Sequence, residues 1–220
     1  MSTLSYTHLF HPGTYNTSPP LLLLHGTGGN EHDLVPLARQ LSPDSALLSP
    51  RGDVLEHGAP RFFRRFAEGV FDLADVEQRT HALADFVNAA AREYSFDAHR
   101  LIAFGFSNGA NIAASLLLLR PETLAGAVLL RPMVVLEPTT PPSLSGKRVL
   151  ISSGTHDPIV PPDHPARLAD LLRRAGTDVT LHTHIAGHQL VSADLAAAQE
   201  FFAWRQSPTG ASSASHRAAN

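Results

Sequence analysis

Short apolar runs alternate with longer amphipathic stretches along this chain, and that alternation constrains its fold more than any other feature. The apolar runs are predicted to be strands, and they are Leu21–Leu24, Ala46–Leu48, Leu101–Phe106, Ala127–Leu130, Val149–Ser152 and Val179–His184. Most are almost wholly apolar, as expected for strands of a parallel sheet that is covered on both faces. Helical periodicity follows at Asp72–Tyr94, Asn108–Leu119, Pro165–Ala175 and Ser192–Trp204. The pattern predicts an α/β fold with a mostly parallel central sheet flanked by helices.

Two segments lack a clear period and are predicted to be long loops. Pro50–Gly69 contains arginines and aromatic residues, and Pro132–Gly146 is rich in proline. After Arg205 the sequence loses all hydrophobic patterning. We therefore expect one domain over residues 1–205 and a disordered tail over residues 206–220.

Composition excludes several classes of protein. The chain has 220 residues, of which 43% are hydrophobic and 17% charged, and this balance suits one globular α/β domain. A net charge of -3 argues against nucleic acid or an anionic membrane as the main partner. The absence of cysteine excludes disulfides, thiolate zinc sites and a cysteine nucleophile. Met1–Gly13 has no basic segment followed by an apolar stretch, so we expect no signal peptide and a cytoplasmic location.

A G-x-S-x-G motif, Gly105-Phe106-Ser107-Asn108-Gly109, lies between a predicted strand and a predicted helix. That context is required of a nucleophile elbow, in which a tight turn exposes the Ser hydroxyl at the carboxyl edge of the sheet. The helix N-terminus also favours negative charge developing at Ser107. The alternative is a Gly-Ser turn that only caps the helix, but the flanking strand and helix favour a nucleophile.

A glycine-rich loop, His25-Gly26-Thr27-Gly28-Gly29-Asn30, follows the strand Leu21–Leu24. Beside a nucleophile elbow, such a loop supplies one backbone N–H of an oxyanion hole, and the residue after the nucleophile supplies the other. Thr27 and Asn108 are the corresponding residues, while His25 is expected to orient the loop. A phosphate-binding loop is the alternative, but the segment lacks the Walker lysine and the spacing of a dinucleotide fingerprint.

Asp157 follows the predicted strand Val149–Ser152 and could accept the Nδ1–H of a catalytic histidine. An ordinary Asp-Pro turn is the alternative, and Asp163 and Glu137 are competing acids. Asp157 is preferred because catalytic groups in open α/β sheets lie just beyond the carboxyl ends of strands.

His188 lies in a loop after the strand Val179–His184 and is the candidate general base, since imidazole changes its charge near neutral pH. The chain order Ser107, Asp157, His188 is that of α/β-hydrolases. His182 and His184 point to one face of their strand and could form a metal pair, but no third ligand is evident at metal-site spacing.

Four segments together resemble a known family: LLLLHGTGGNEHDLVPLA, GFSNGANIA, GTHDPIVP and AGHQL. In order and approximate spacing they are similar to the phospholipase/carboxylesterase branch of the α/β-hydrolases, which includes acyl-protein thioesterases and small bacterial carboxylesterases. The similarity covers most of residues 18 to 205, and Ser49–Gly52 with Pro60–Phe63 resembles a bacterial hydrolase subgroup, some of it linked to quinone stress.

The resemblance implies the α/β-hydrolase fold without a large cap domain, a Ser107–Asp157–His188 triad, oxyanion N–H groups at Thr27 and Asn108, and no cofactor. For the chain itself we expect a small-molecule ester as partner, with no metal, no nucleic acid and no stable membrane insertion, and the sequence leaves a homodimer open. Acyl-protein thioesterases usually have Gln after the nucleophile, so Asn108 weakens the transfer of thioesterase specificity.

The segment 50–69 also suggests where a substrate binds. The aromatic side chains in or beside it either line an acyl or aryl pocket or anchor the segment to the core, and they are Phe62, Phe63, Phe66 and Phe71. Four arginines, Arg51, Arg61, Arg64 and Arg65, are candidates for meeting a substrate carboxylate, and solvated or salt-bridged side chains are the alternative for most of them. Arg61 is taken as the substrate-binding residue.

The predicted activity is hydrolysis of small carboxylic esters through an acyl-enzyme on Ser107. An acyl thioesterase or lysophospholipase is one alternative, and a hydrolase-fold binding protein or sensor without turnover is another.

Overall fold

The computed structural model describes residues 4–14 and 18–206, apart from the side chains of residues 204–206. Its centre is a seven-stranded sheet. The sheet strands are β1 (His8–His11), β2 (Leu21–Leu24), β3 (Leu47–Pro50), β8 (Ile102–Phe106), β9 (Gly126–Leu130), β10 (Arg148–Gly154) and β11 (Asp178–His184). They lie in the order β1-β3-β2-β8-β9-β10-β11. Within this sheet β1 pairs with β3 in the antiparallel direction, and the other five pairings are parallel. The predicted mostly parallel sheet is confirmed.

Helices cover both faces of the sheet because its apolar strands have side chains to bury on each side. They are α1 (Val35–Leu41), α2 (Leu73–Tyr94), α3 (Asn108–Leu119), α4 (His164–Arg174) and α5 (Ser192–Gln206). One hydrophobic core lies under α2, α3 and α4, and includes Leu22 and Ala103. The other lies under α1 and α5, and includes Leu21 and Phe104. Adjacent residues of one strand thus serve opposite cores.

Residues 51–71, which we call the arm, differ from the predicted loop. They form one antiparallel hairpin from β4 (Val54–Glu56) and β5 (Ala59–Arg61), and a second from β6 (Arg65–Ala67) and β7 (Val70–Phe71). These strands have two or three residues each, which is too short for a period of two to be visible in the sequence. The arm lies at the carboxyl edge of the sheet, and no large cap domain is evident in the part of the chain that the structure describes.

Other boundaries were not all predictable. β1 and α1 had no predicted counterpart, whereas Pro132–Gly146 contains neither helix nor strand, as expected. The predicted tail lies outside the described residues, except that Gln206 ends α5. Among the helices of the described ranges, none is long and apolar enough to cross a membrane.

Candidate active site

The G-x-S-x-G motif forms a sharp turn from β8 into α3. Ser107 has φ +53°, a left-handed conformation that is rare for a residue with a Cβ atom. Only glycine fits at the two flanking positions, because neighbouring backbone atoms lie too close for a Cβ atom. A Cβ on Gly105 would lie 2.6 Å from the carbonyl oxygen of Gly109, and one on Gly109 would lie 1.9 Å from that of Leu24. The turn therefore presents Ser107 at the edge of the sheet.

Ser107, His188 and Asp157 lie side by side although they come from three separate loops. His188 Nε2 is 2.9 Å from Ser107 Oγ, and His188 Nδ1 is 2.8 Å from Asp157 Oδ2. Because a carboxylate only accepts hydrogen bonds, Nδ1 carries the proton and Nε2 is free to accept from the Ser107 hydroxyl. The three groups thus have the mutual contacts of a nucleophile, a base and an orienting acid.

Asp157 is held by its own loop between β10 and α4. Its Oδ1 accepts the backbone N–H groups of Ile159 and Val160, at 2.8 and 3.1 Å, which leaves Oδ2 for His188. The competing acids lie elsewhere: Asp163 and Glu137 both pair with Arg167 on the surface. Of the three acids considered from sequence, the structure brings only Asp157 to the histidine.

The two predicted oxyanion donors line the same cavity as Ser107. Asn108 is the first residue of α3, where a backbone N–H has no partner within the helix. In the part of the chain that the structure describes, no hydrogen bond is formed by the backbone N–H of Thr27 or by that of Asn108. Both donors are available to a ligand at Ser107.

The cavity above Ser107 has a volume of about 290 Å³. Its wall combines apolar and charged side chains from several elements, namely Thr27, Arg61, Arg65, Glu68, Phe71, Phe106, Asn108, Asn111, Met133, Ile159 and His188. Such a volume is at the small end for ligand pockets. The lining residues of α3 and of the loops after β9 and β10, such as Asn111, Met133 and Ile159, carry no local sequence signal, since only the fold brings them together.

Arg61 is a buried part of this wall, with a side chain that is 3% exposed. Its Nη1 donates to Thr27 Oγ1 at 2.7 Å and to Glu56 at 3.3 Å, and its Nε donates to the Phe63 carbonyl. Burial lowers the pKa of the Arg61 guanidinium, and the neighbouring Arg65 adds to that effect. The site therefore contains an arginine that is poorly solvated but still cationic at neutral pH.

Phe62 and Phe63 do not contact the cavity, and the expectation that they bind substrate is corrected. Both are completely buried and belong to the core under α2 and α3. Their rings anchor the arm, which is the other role that the sequence allows for them. Phe71, at the end of the arm, is the phenylalanine of this segment that lines the cavity.

His182 and His184, considered as a metal pair, have ring centroids 5.9 Å apart on β11. Within residues 4–14 and 18–206, no group of three His, Asp or Glu side chains is arranged to hold a metal ion. Nothing in this pair points to a metal site.

Comparison with known proteins matches the chain to one family over almost its whole length. The model of the phospholipase/carboxylesterase family matches residues 12–205. MhqD of Bacillus subtilis (strain 168) is 45% identical over 195 residues, which are 89% of this chain and 96% of that protein.

Solved structures agree with this assignment. The carboxylesterase of Bacillus cereus has a TM-score of 0.90 and 46% identity, covering 93% of this chain and 96% of its own. The structure of YahD with malic acid has a TM-score of 0.85 and 32% identity, covering 90% of this chain and 98% of the YahD chain. The chain belongs to the phospholipase/carboxylesterase family of α/β-hydrolases and is a carboxylesterase-type enzyme.

Proposed function

We propose that this enzyme hydrolyses small carboxylic esters by two-step acyl transfer through Ser107. The observation that carries the proposal is the 2.9 Å contact between His188 Nε2 and Ser107 Oγ, with Asp157 on the far side of the same ring. A pure binding protein has no need of a base beside a hydroxyl group.

In the first step His188 Nε2 takes the Ser107 proton while Oγ attacks the ester carbonyl carbon. The carbonyl oxygen becomes an oxyanion, which accepts hydrogen bonds from the backbone N–H groups of Thr27 and Asn108. The intermediate then collapses, the bond to the alcohol oxygen breaks, and His188 gives its proton to that oxygen.

In the second step water attacks the acyl group on Ser107 and passes its proton to His188. Collapse of the second tetrahedral intermediate breaks the bond to Oγ, which recovers a proton from His188. The products are the carboxylic acid and the alcohol, and the enzyme returns to its starting state. Asp157 stays ionised throughout and stabilises the imidazolium in both steps.

The cavity supports a preference for small substrates, since about 290 Å³ leaves little room for a long acyl chain. Arg61 in its wall supports an acyl group with a carboxylate of its own, whereas Arg65 is paired with Glu56 and Glu68. The related YahD structure contains malic acid, a dicarboxylic acid. We infer that Arg61 is the group that binds this carboxylate.

Labelling with a fluorophosphonate tests the proposal. We expect one covalent adduct on Ser107 in the wild type and none in Ser107→Ala, with kcat for p-nitrophenyl acetate lower by about 10⁶-fold in the variant. Folded wild-type protein that does not label would favour the binding protein or sensor.

The same pair of proteins, assayed on a panel of substrates, separates the enzyme classes. Short p-nitrophenyl esters should be cleaved faster than acyl-CoA or lysophospholipid. A reversed order would identify a thioesterase or lysophospholipase that uses the same nucleophile.

A further inference from the structure

Arg131 lies directly after β9 and is almost completely buried, with 1% of its surface exposed. Its Nε donates to the Gly187 carbonyl at 3.0 Å and its Nη2 donates to the Gln189 carbonyl at 2.9 Å. These are the residues immediately before and after His188. One guanidinium therefore holds the backbone on both sides of the proposed base.

Asp194, in the first turn of α5, fixes that guanidinium in place. Arg131 Nη1 and Nη2 donate to its two carboxylate oxygens, each at 2.8 Å, and both side chains of the pair are fully buried. The remaining Nη1 donor bonds to the Ser152 carbonyl at 3.3 Å. All five N–H groups of the guanidinium thus have protein acceptors.

Both oxygens of the Asp194 carboxylate likewise accept hydrogen bonds from within the protein. Besides Arg131, Asp194 accepts from Ser152 Oγ at 2.6 Å and from the backbone N–H of Val191 at 2.7 Å. Burial acts to raise the pKa of Asp194, but the hydrogen bonds from Arg131 and Ser152 outweigh it and hold the pKa below its ordinary value. With no donor or acceptor to spare, the pair acts on other parts of the protein and not on a ligand.

The backbone of Arg131 supports a specific role for its side chain. Its φ is +57°, in the left-handed region that favours glycine. Strained conformations of this kind cluster at functional sites, where the surrounding structure must enforce them. The strained turn at the end of β9 directs the arginine toward the loop between β11 and α5.

That loop needs an external support. His188 is in neither a helix nor a strand, and its ring must meet Ser107 and Asp157 at the same time. The Asp157 contact fixes the ring only at Nδ1, whereas the two carbonyl contacts of Arg131 fix the backbone from which the ring projects.

We propose that Arg131, held by Asp194, is a positioning residue that sets the distance between His188 and Ser107. The proposal rests on the proposed function, in which His188 is the general base. Arg131 itself touches no reacting atom, so its loss should act on kcat and leave substrate binding intact.

The test uses Arg131→Met with Asp194→Asn in the full chain, because removing both charges leaves no uncompensated buried ion. For p-nitrophenyl acetate we expect kcat to fall about 100-fold, the effect of a misplacement near 1 Å, with KM little changed. In proton NMR, the strongly deshielded resonance of His188 Nδ1–H should be lost or broadened, with His188→Gln used to assign it.

The matched control applies the same two substitutions to an exposed ion pair, Arg173→Met with Asp170→Asn, whose Nη1 to Oδ1 distance is 3.3 Å. It should keep the wild-type kcat and the downfield resonance. A folded Arg131/Asp194 double variant with wild-type kcat and an unchanged resonance would overturn the proposal.

If the double variant does not fold, Arg131→Lys replaces it. A lysine keeps the charge opposite Asp194 but lacks the planar fork that reaches both carbonyls, so kcat should again fall while KM stays. Wild-type kcat in this variant would equally overturn the proposal. Fluorophosphonate labelling of wild-type Ser107 is independent of Arg131, so failure of the proposed function is recognised separately.

Discussion

At the residue scale, Ser107 and Arg61 each combine a structural role with a proposed role in the active site. Ser107 takes a backbone conformation that costs on the order of 1–3 kcal/mol, and in return its hydroxyl projects above the sheet edge. Arg61 both lines the cavity and bonds to Thr27, whose backbone N–H is a proposed oxyanion donor. A substitution at such a residue will change more than one kinetic constant.

Arg61→Ala separates these two roles. Loss of the cation should lower kcat/KM for esters with a carboxylate about 10-fold more than for neutral esters of the same size, equivalent to about 1.4 kcal/mol. Loss of the bond to Thr27 should also lower kcat for both kinds of ester. The measurement is the ratio of kcat/KM between an anionic and a neutral p-nitrophenyl ester.

Thr27→Val is the matched control, since it removes the same hydrogen bond and leaves the charge. Its kcat should fall without a change in the anionic-to-neutral ratio. If Arg61→Ala also leaves that ratio at the wild-type value, Arg61 does not bind a substrate carboxylate.

At the element scale, the arm and the loop of residues 25–30 are built as one unit. Gly28 N–H donates to the Pro60 carbonyl at 2.9 Å, and Gly52 N–H donates to His25 Nε2 at 3.0 Å. On the other side, Phe62 N–H donates to Asn108 Oδ1 at 2.8 Å. The arm thereby restrains the segments that carry both proposed oxyanion donors.

His25 makes this connection sensitive to acid. Its Nδ1 lies 2.6 Å from the Gly26 carbonyl, which requires a proton on Nδ1, so Nε2 accepts from Gly52 only in the neutral ring. Burial lowers the pKa of His25 below its ordinary 6.5, although the bond to Gly26 acts in the opposite direction. Protonation would place two donors opposite each other and break the contact.

Because the pKa of His25 is lower in the folded protein than in the unfolded chain, the free energy of unfolding depends on pH. Well above pH 6.5 the ring is neutral in both states; as the pH falls through 6.5, the unfolded chain takes up the proton first. The free energy of unfolding should therefore fall on the acid side, by at most about 1.4 kcal/mol per pH unit for this one group.

Urea unfolding measured from about pH 7 to about pH 5 tests this expectation. His25→Gln should make the unfolding free energy depend less steeply on pH than it does in the wild type. The control is His32→Gln, which removes an exposed imidazole just after the loop of residues 25–30. A His25→Gln slope equal to that of the wild type would refute the account.

At the scale of the whole molecule, the sheet could be predicted because its strands are buried on both faces. Runs such as Leu21–Leu24 are apolar throughout, and that signal is local. His8–His11 is a half-buried edge strand without such a run, and Val35–Leu41 is a helix of only seven residues. Both therefore escaped sequence analysis.

The residues of the site likewise fall into those that a local sequence pattern predicts and those that only the fold brings together. Ser107 and its glycines form a local motif, and the strand ends locate Asp157 and His188. Arg131 and Asp194 are 63 positions apart, and neither belongs to a recognisable motif. Their partnership exists only because β9 and α5 meet beneath the His188 loop, so no pattern in the sequence could predict it.

The most direct test of the central claim is to trap the acyl-enzyme during turnover. Wild-type enzyme mixed with excess p-nitrophenyl acetate, quenched in acid within milliseconds and digested, should yield the Ser107 peptide carrying one acetyl group. Its formation should coincide with a burst of p-nitrophenol, and His188→Gln should show neither. Turnover by the wild type with no burst and no adduct on Ser107 at any quench time would contradict the account, because water would then attack the ester directly.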